Sequence, residues 1–330
     1  MKVLITGNEG YIGSVMSVYL ESQGYDVFGR DVGYFSSIHT PSDDIRDISI
    51  KSLEGFDAII YLSALSNDPL GEIKRSVTYD INWISAIKTA MLAREAGVKR
   101  FLFASSCSMY GAGNGDEFLD ETSHQMPLTT YAESKVWAEN GISSLASDGF
   151  SPVFFRCGTA YGVSPSQRLD LAVNSMVFNS YNNHKIIVYN GGVAWRPFVH
   201  VEDISQAFNL GLISPKNLVH NQAFNVGETG ENFRIRDLAN IIKNNTHYNS
   251  EIVYVGEDVD TRSYKVSFEK IKNVLGFESI WDVRRGITQF IYEFEDNGVD
   301  LYNRDSSCIR LNKIKELTDD GLLDEDLRWI

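Results

Sequence analysis

Over roughly its first 160 residues the chain alternates two patterns. Short apolar runs occupy residues 3–5, 27–28, 58–62, 100–104 and 153–156, and helical stretches separate several of them. Ile12, Val15, Met16, Tyr19 and Leu20 recur at three- and four-residue spacing, and Gly24 fits the end of that helix. Residues 83–96 form a second helical stretch, stopped by Gly97, and residues 130–145 a third. Runs that are apolar throughout, rather than alternating, suit strands buried on both faces. Strands joined through helices run parallel, with helices covering both faces of the sheet. The expectation is an α/β chain built on a doubly wound parallel sheet.

That rhythm weakens after about residue 163, and 330 residues suggest about two domains. The sheet domain is read over 1–162. A smaller mixed α/β substrate-binding lobe follows over 163–300, with the chain returning to the first domain near 195–225. Residues 301–330 form an acidic C-terminal extension. Its stretch 316–326 holds six acids and no base, which reads as a solvated tail. The apolar end Leu327-Arg328-Trp329-Ile330 could instead dock on a partner subunit.

Charge narrows the ligands. Thirty Lys and Arg against 44 Asp and Glu give a net charge of −14, a poor match for nucleic acid or anionic lipid. Three cysteines (Cys107, Cys157, Cys308) without a CxxC spacing give neither a disulfide framework nor a zinc site. No metal is expected, and no apolar stretch is long enough to span a membrane. The opening MKVLITG lacks the pattern of a secretory leader, so a reduced, cytoplasmic protein is expected.

Two constellations carry chemistry. Gly7, Gly10 and Gly13 follow the first strand and open the first helix, with Tyr11 and Ile12 between the last two. Such a loop brings backbone N–H groups to a pyrophosphate at a helix N-terminus, where the dipole favours negative charge. Asp31 ends the next strand, where a carboxylate holds an adenosine ribose and repels a 2′-phosphate. The Rossmann-type reading therefore favours NAD over NADP, although the adjacent Arg30 argues the other way. In the second constellation, Tyr131 and Lys135 share one helix face at i and i+4. An ammonium near the phenol is expected to lower its pKa and make Tyr131 a usable base. A serine cluster, Ser105-Ser106-Cys107-Ser108, ends the strand about 25 residues upstream and is placed to hydrogen-bond the same substrate oxygen.

Together, TGxxGxxG, Asp31, the Ser106 cluster before Tyr110-Gly111, and YxxxK resemble the extended short-chain dehydrogenase/reductases, in the subgroup of NAD-dependent nucleotide-sugar epimerases and dehydratases. The resemblance runs from residue 2 to about 290. Its later pieces are residues 156–162, 195–203 and 224–227 and the Asp260-Thr261-Arg262 triplet. It implies that Gly7, Gly10, Tyr11, Ile12 and Gly13 line the pyrophosphate and Asp31 holds the ribose. Asp44 and Ile45 would flank the adenine. Leu62, Ser63 and Ala64 would pass beside the cofactor, with Asn82 supporting their loop. Tyr131 would be the base, Lys135 would bind the nicotinamide ribose, and Ser106 would hydrogen-bond the reacting hydroxyl. Thr159, Asn174, Arg196 and Arg262 would touch a nucleotide-diphosphate sugar. Thr159 departs from the Asn common at that position. His200 and Asp203 are read as structural.

The resemblance implies oxidation of a sugar carbon, usually C4, and then divergent outcomes. Dehydratases of the group place acids just after the catalytic Ser or Thr, whereas here Cys107 and Ser108 follow Ser106. The reading is an epimerase working through a transient 4-keto sugar. A 4-dehydrogenase or reductase releasing that sugar is the alternative, ahead of a 4,6-dehydratase or an inert NAD-binding scaffold. Cys107 is expected to face away from substrate, because neighbours on a strand point to opposite faces. Apolar residues on several faces of the helices over 83–96 and 130–145 imply a homodimer. Both proposed ligands are anions, so on a chain this acidic they must be held by a helix N-terminus and a few placed cations: Arg196, Arg262 and Lys135.

Overall fold

The structure is a computed structural model describing residues 1–35, 43–113, 117–256, 262–299, 302 and 306–330. Six strands make the central sheet: β1 (Lys2–Thr6), β2 (Asp26–Arg30), β3 (Ala58–Tyr61), β4 (Arg100–Ser106), β5 (Ser151–Cys157) and β6 (Gln222–Val226). Their order is β6-β5-β4-β3-β1-β2, and every pairing is parallel. Residues of β3 and β5 are buried throughout, as their unbroken apolar character requires. The order reverses at β1, which pairs β2 on one side and β3 on the other. Doubly wound sheets bind ligands in the crevice beyond the strand ends at such a switch point.

Helices cover both faces. α1 (Tyr11–Ser22) and α4 (Val201–Ile213) lie on one side, where Met16, Leu20, Ile204 and Phe208 pack on Val3, Leu102 and Phe155. α2 (Ser85–Glu95) and α3 (Thr130–Ser143) cover the other, with Ala86, Ala90, Ala138 and Ile142 against Ile59, Phe101 and Phe103. α2 and α3 approach closely: a Cβ at Gly141 would stand 2.1 Å from Ile87 Cδ1.

The smaller lobe has its own core, including Val173, Val177, Ile186, Phe198, Leu238, Ile287 and Phe290. Two boundaries differ from the sequence reading. Residues Trp195–His200 form a strand of a separate three-stranded sheet, so the return to the large domain begins at Val201. Tyr264, Val266, Phe268, Ile271 and Phe277 then join the large domain's core a second time.

The C-terminal extension is not a solvated tail, and its end docks on its own chain. α5 (Arg310–Asp319) and the residues after it bury Ile314, Leu317, Leu323 and Leu327 in the core beneath α2 and α3. The Trp329 indole donates to the Val32 carbonyl at 2.7 Å. Arg46 donates to the Asp326 carbonyl at 2.6 Å, and Arg328 pairs with Asp47 at 2.6 Å. The acids of 316–326 therefore sit on the outer side of a segment whose apolar residues face inward. Acidic composition alone hid that spacing.

Candidate active site

Glycine is required where the first loop turns. Gly7 has φ +78°, a conformation that L side chains rarely adopt. A Cβ at Gly13 would lie 2.1 Å from the Gly7 carbonyl oxygen and 2.6 Å from Asn8 Cα. The loop thus folds onto the first turn of α1, and no acid occupies that turn. The free N–H groups of a helix start favour an anion there. Asp31, at the end of β2, accepts from the Glu9 N–H at 3.0 Å and the Gly33 N–H at 2.9 Å, which aims its carboxylate at the same loop. Arg30 is ion-paired with Asp43 at 2.7 Å, so its charge is directed at that carboxylate.

Asp44 and Ile45 form the next part of the wall. Asp44 is half-buried, yet a bidentate contact with the Arg46 guanidinium holds its carboxyl below the ordinary range against the upward push of burial. Leu62, Ser63 and Ala64 follow β3, where Leu62 N–H donates to the Thr6 carbonyl at 3.0 Å. Asn82 is wholly buried: it accepts from Leu65 N–H at 2.8 Å and donates to Leu65 O at 3.1 Å. It therefore acts through that loop and does not line the cleft.

The cleft has a volume of about 380 Å³ and runs from this wall to the chemistry of β4 and α3. Tyr131, Lys135, Ser106, Thr159, Arg196 and Arg262 all line it. Ser106 and Tyr131 line the same wall, and Ser106 Oγ accepts from Ser108 N–H at 3.1 Å. Lys135 is 2% exposed. Its ammonium donates to the Ala104 carbonyl at 2.7 Å and stands 5.7 Å from the Tyr131 ring centre. The expected lowering of the phenol by this ammonium is not what the residues themselves produce. Burial raises the Tyr131 pKa, the Ser106 hydroxyl opposes it, and burial brings Lys135 down to about 8.

Asn174 departs from its expected role as a substrate contact. Its side chain is wholly buried: it accepts from Gly162 N–H at 3.2 Å and donates to the Tyr11 hydroxyl at 3.2 Å and the Arg168 carbonyl at 2.9 Å. It fixes Tyr11 and the 162–168 segment from behind. Asp260 and Thr261 lie outside the described residues. His200 and Asp203 satisfy backbone groups: His200 Nδ1 accepts from Glu202 N–H at 3.2 Å, and Asp203 accepts from Ile280 and Trp281 N–H at 3.0 and 3.1 Å. Burial lowers the His200 imidazole to about 4, so it stays neutral there.

Cys107 is 1% exposed and its thiol donates to the Arg156 carbonyl at 3.1 Å, on the core side. The expected orientation holds, but not through strand alternation. The strand ends at Ser106, and Cys107–Tyr110 form a 3-10 turn. Ser108 comes out on the cleft wall instead, with a hydroxyl that has no hydrogen-bond partner among the described residues. Cys107→Ser should keep turnover within about threefold of wild type, because the thiol is a small packing group. A steady-state assay showing a hundredfold loss would overturn that placement.

Cleft residues that escaped the sequence reading include Arg168, Asp68, Tyr264 and Arg310. Arg168 grips Asp170 through two hydrogen bonds of 2.8 and 3.0 Å. Asp68 holds Arg262, whose carbonyl in turn accepts from Arg196. Tyr264 lies under the Arg196 guanidinium, 5.2 Å from ring to cation. Arg310 arrives from the C-terminal helix α5. Arg168 and Asp170 flank a leucine in the 164–174 segment, a weak signal; Arg310 had none.

The glycine cradle and the Asp31 carboxylate beside it fit a dinucleotide. The model of the NAD dependent epimerase/dehydratase family matches residues 3–227. The chain belongs to this family. It is therefore an NAD-dependent enzyme of the extended short-chain dehydrogenase/reductase type. A putative UDP-glucose 4-epimerase from Methanocaldococcus jannaschii is 26% identical over 314 residues, covering 89% of this chain and 99% of the relative. Human dTDP-D-glucose 4,6-dehydratase is 26% identical over 327 residues, covering 90% of each. The solved structure of UDP-glucose 4-epimerase with UDP-glucose from Thermotoga maritima shares the fold at TM-score 0.79 and 22% identity, covering 90% of this chain and 99% of that one. Among the described residues no helix is long and apolar enough to cross a membrane.

Proposed function

We propose that the protein is a nucleotide-sugar epimerase acting at C4 of the sugar. Relatives named as epimerase and as dehydratase match equally well, so the choice rests on cleft chemistry. The observation that carries it is the wall after Ser106. Where an elimination needs an acid and a base beside the sugar, this wall presents Ser106 and Ser108, while Cys107 turns into the core. The nearby carboxylate of Asp68 is engaged by Arg262 and by the Thr129 hydroxyl at 2.6 Å.

Bound NAD supplies a hydride acceptor and a positive ring charge. The chain's own groups do the rest. Tyr131 Oη takes the proton of the reacting hydroxyl and later returns it. Ser106 Oγ holds that oxygen in place, and Lys135 fixes the ribose side of the cofactor. Arg196, Arg262 and Thr159 receive the nucleotide diphosphate. The test is a panel of UDP-, GDP-, CDP- and dTDP-sugars followed by mass and NMR. A stereoisomer of unchanged mass, without net reduction of the cofactor, is the expected product. Loss of water would mark a dehydratase, and lasting cofactor reduction a dehydrogenase.

Arg196→Ala should raise KM about tenfold or more with a smaller change in kcat, because a cation that receives a diphosphate binds it throughout the reaction. A control outside the cleft, Arg236→Ala, should change neither. Equal effects of the two would remove Arg196 from the substrate site.

The same reading includes a homodimer. Ile84 and Met91 are 51% and 50% exposed on one flank of the α2 region, beside Trp137 at 38% on α3. Tyr79, Trp83 and Trp137 form a ring cluster with centres 4.8–6.3 Å apart. Helices that also pack on the sheet use their other faces for such a patch. Light scattering at micromolar concentration should give twice the mass of a 37.1 kDa chain; a monomer mass would overturn the pairing.

A further inference from the structure

The family match ends at residue 227, yet one cation on the cleft wall comes from residue 310. Arg310 is 2% exposed, and its position is fixed. The guanidinium donates to the Ser307 carbonyl at 2.6 Å and to the carbonyl and hydroxyl of Ser166 at 2.8 Å each, and stacks 4.2 Å from the centre of the Phe35 ring. Phe35 follows β2, and Ser166 follows the strand Thr159–Tyr161, so the guanidinium joins segments far apart in the chain. Burial raises the pKa of Asp31 and of the Tyr11 hydroxyl, and the Arg310 charge is among the effects opposing that rise at both. Arg310 lines the same cleft as Gly10, Tyr11 and Asp31, between the start of α1 and the end of β2.

The chain around Arg310 bridges both domains. Leu169 N–H donates to the Cys308 carbonyl at 2.8 Å, tying the segment to the smaller lobe. Beyond α5 it grips the cofactor-side wall of the large domain. Trp329 binds the Val32 carbonyl, the Tyr34 hydroxyl donates to the Leu327 carbonyl, and Arg46 reaches Asp326. Lys74 adds an ion pair to Asp326 at 2.7 Å. All but the Lys74 pair land on the stretch after β2 and on the turn that carries Asp44 and Ile45.

We propose that residues 306–330 form a cofactor clasp, in which Arg310 meets the cofactor's diphosphate opposite the glycine loop and the terminal strap holds the adenosine-side wall shut. This rests on the NAD reading above and extends it to residues outside the family match. On a chain of net charge −14, a fixed internal cation offsets the mean repulsion of an anionic cofactor. A wall pinned by residues 326–329 opens by releasing them, so the strap acts on cofactor release more than on capture.

Calorimetry on the full chain tests the first half, with NAD, ADP and adenosine as probes. Arg310→Met, close in length and apolar, should weaken NAD and ADP about tenfold or more and adenosine less than about twofold. Arg310→Lys should recover part of the loss. Equal losses for adenosine and ADP, or none for ADP, would overturn the diphosphate contact. Stopped-flow release of NAD tests the second half: Trp329→Ala should speed it about tenfold or more, and an unchanged rate would overturn the strap. Thermal melting without ligand checks that each variant is folded; Arg310→Lys and Trp329→Phe substitute for any that is not. Wild type failing to bind NAD would instead sink the cofactor reading itself, and the clasp with it.

Discussion

Tyr131→Phe should lower kcat about a thousandfold while leaving NAD affinity within about twofold and substrate KM nearly unchanged. The substitution removes one oxygen and keeps the ring, so the packing of Tyr131 beside Gly71 survives. What disappears is the phenol that lines the cleft on the same wall as Ser106 and Lys135. Lys135 cannot stand in for it. Its ammonium donates to the Ala104 carbonyl and stands 5.7 Å from the centre of the Tyr131 ring, placed for the cofactor's ribose rather than for the reacting hydroxyl. A positioned general base contributes about a hundred- to ten-thousandfold, and a group acting only at the reacting proton affects turnover rather than binding. Steady-state rates with saturating sugar, beside calorimetry with NAD, separate the two. A loss below tenfold would mean that another group carries the proton.

The parts of this site that a sequence can show are those written within one turn or one loop. Gly7, Gly10 and Gly13 specify a close approach of backbone to backbone, and the reason is local: a Cβ at Gly13 strikes Gly7 itself. Tyr131 and Lys135 share a face because helical geometry puts them there. Burial, by contrast, is set by everything packed around a group. Spacing alone gave the Lys135 ammonium a lowering effect on the phenol, whereas the surrounding atoms raise the phenol and lower the ammonium. Asn174 failed in the same way, since its amide is consumed by Tyr11, Gly162 and Arg168, residues distant in sequence or hidden in a loop. Arg310 lies nearly 280 residues from Asp31 along the chain, and only tertiary folding brings it to the cleft that Asp31 lines. The terminal strap was misread because acids dominate its composition while Ile314, Leu317, Leu323 and Leu327 decide where it goes.

The largest stability effect is expected one turn beyond the lysine. Glu139 continues the face of Tyr131 and Lys135 and is 5% exposed, as is its partner Arg156 on β5. Arg156 Nη2 donates to Glu139 at 2.7 Å and its Nε at 3.1 and 3.2 Å; Nη1 donates to the Tyr110 hydroxyl and the Glu121 carbonyl at 3.2 Å each. Tyr110 passes the chain on to Asn225 of β6 at 2.7 Å. Burial works against the Arg156 charge, but the Glu139 hydrogen bonds and charge outweigh it and raise the guanidinium pKa. Glu139→Ala leaves that guanidinium charged, buried and missing its main acceptor, which should cost about 3–5 kcal/mol. Glu139→Gln keeps an acceptor and should cost less. Pairing Glu139→Leu with Arg156→Leu removes both charges and should cost less than the two single changes added together. Denaturant unfolding of the five variants (Glu139→Ala, Glu139→Gln, the two single leucine changes and their double) checks this. The pair also anchors the catalytic helix to the strand beside β4, so the folded fraction of Glu139→Ala should lose activity through a looser Tyr131. If Glu139→Ala unfolds with the wild-type midpoint, the ion pair holds neither the helix nor the site.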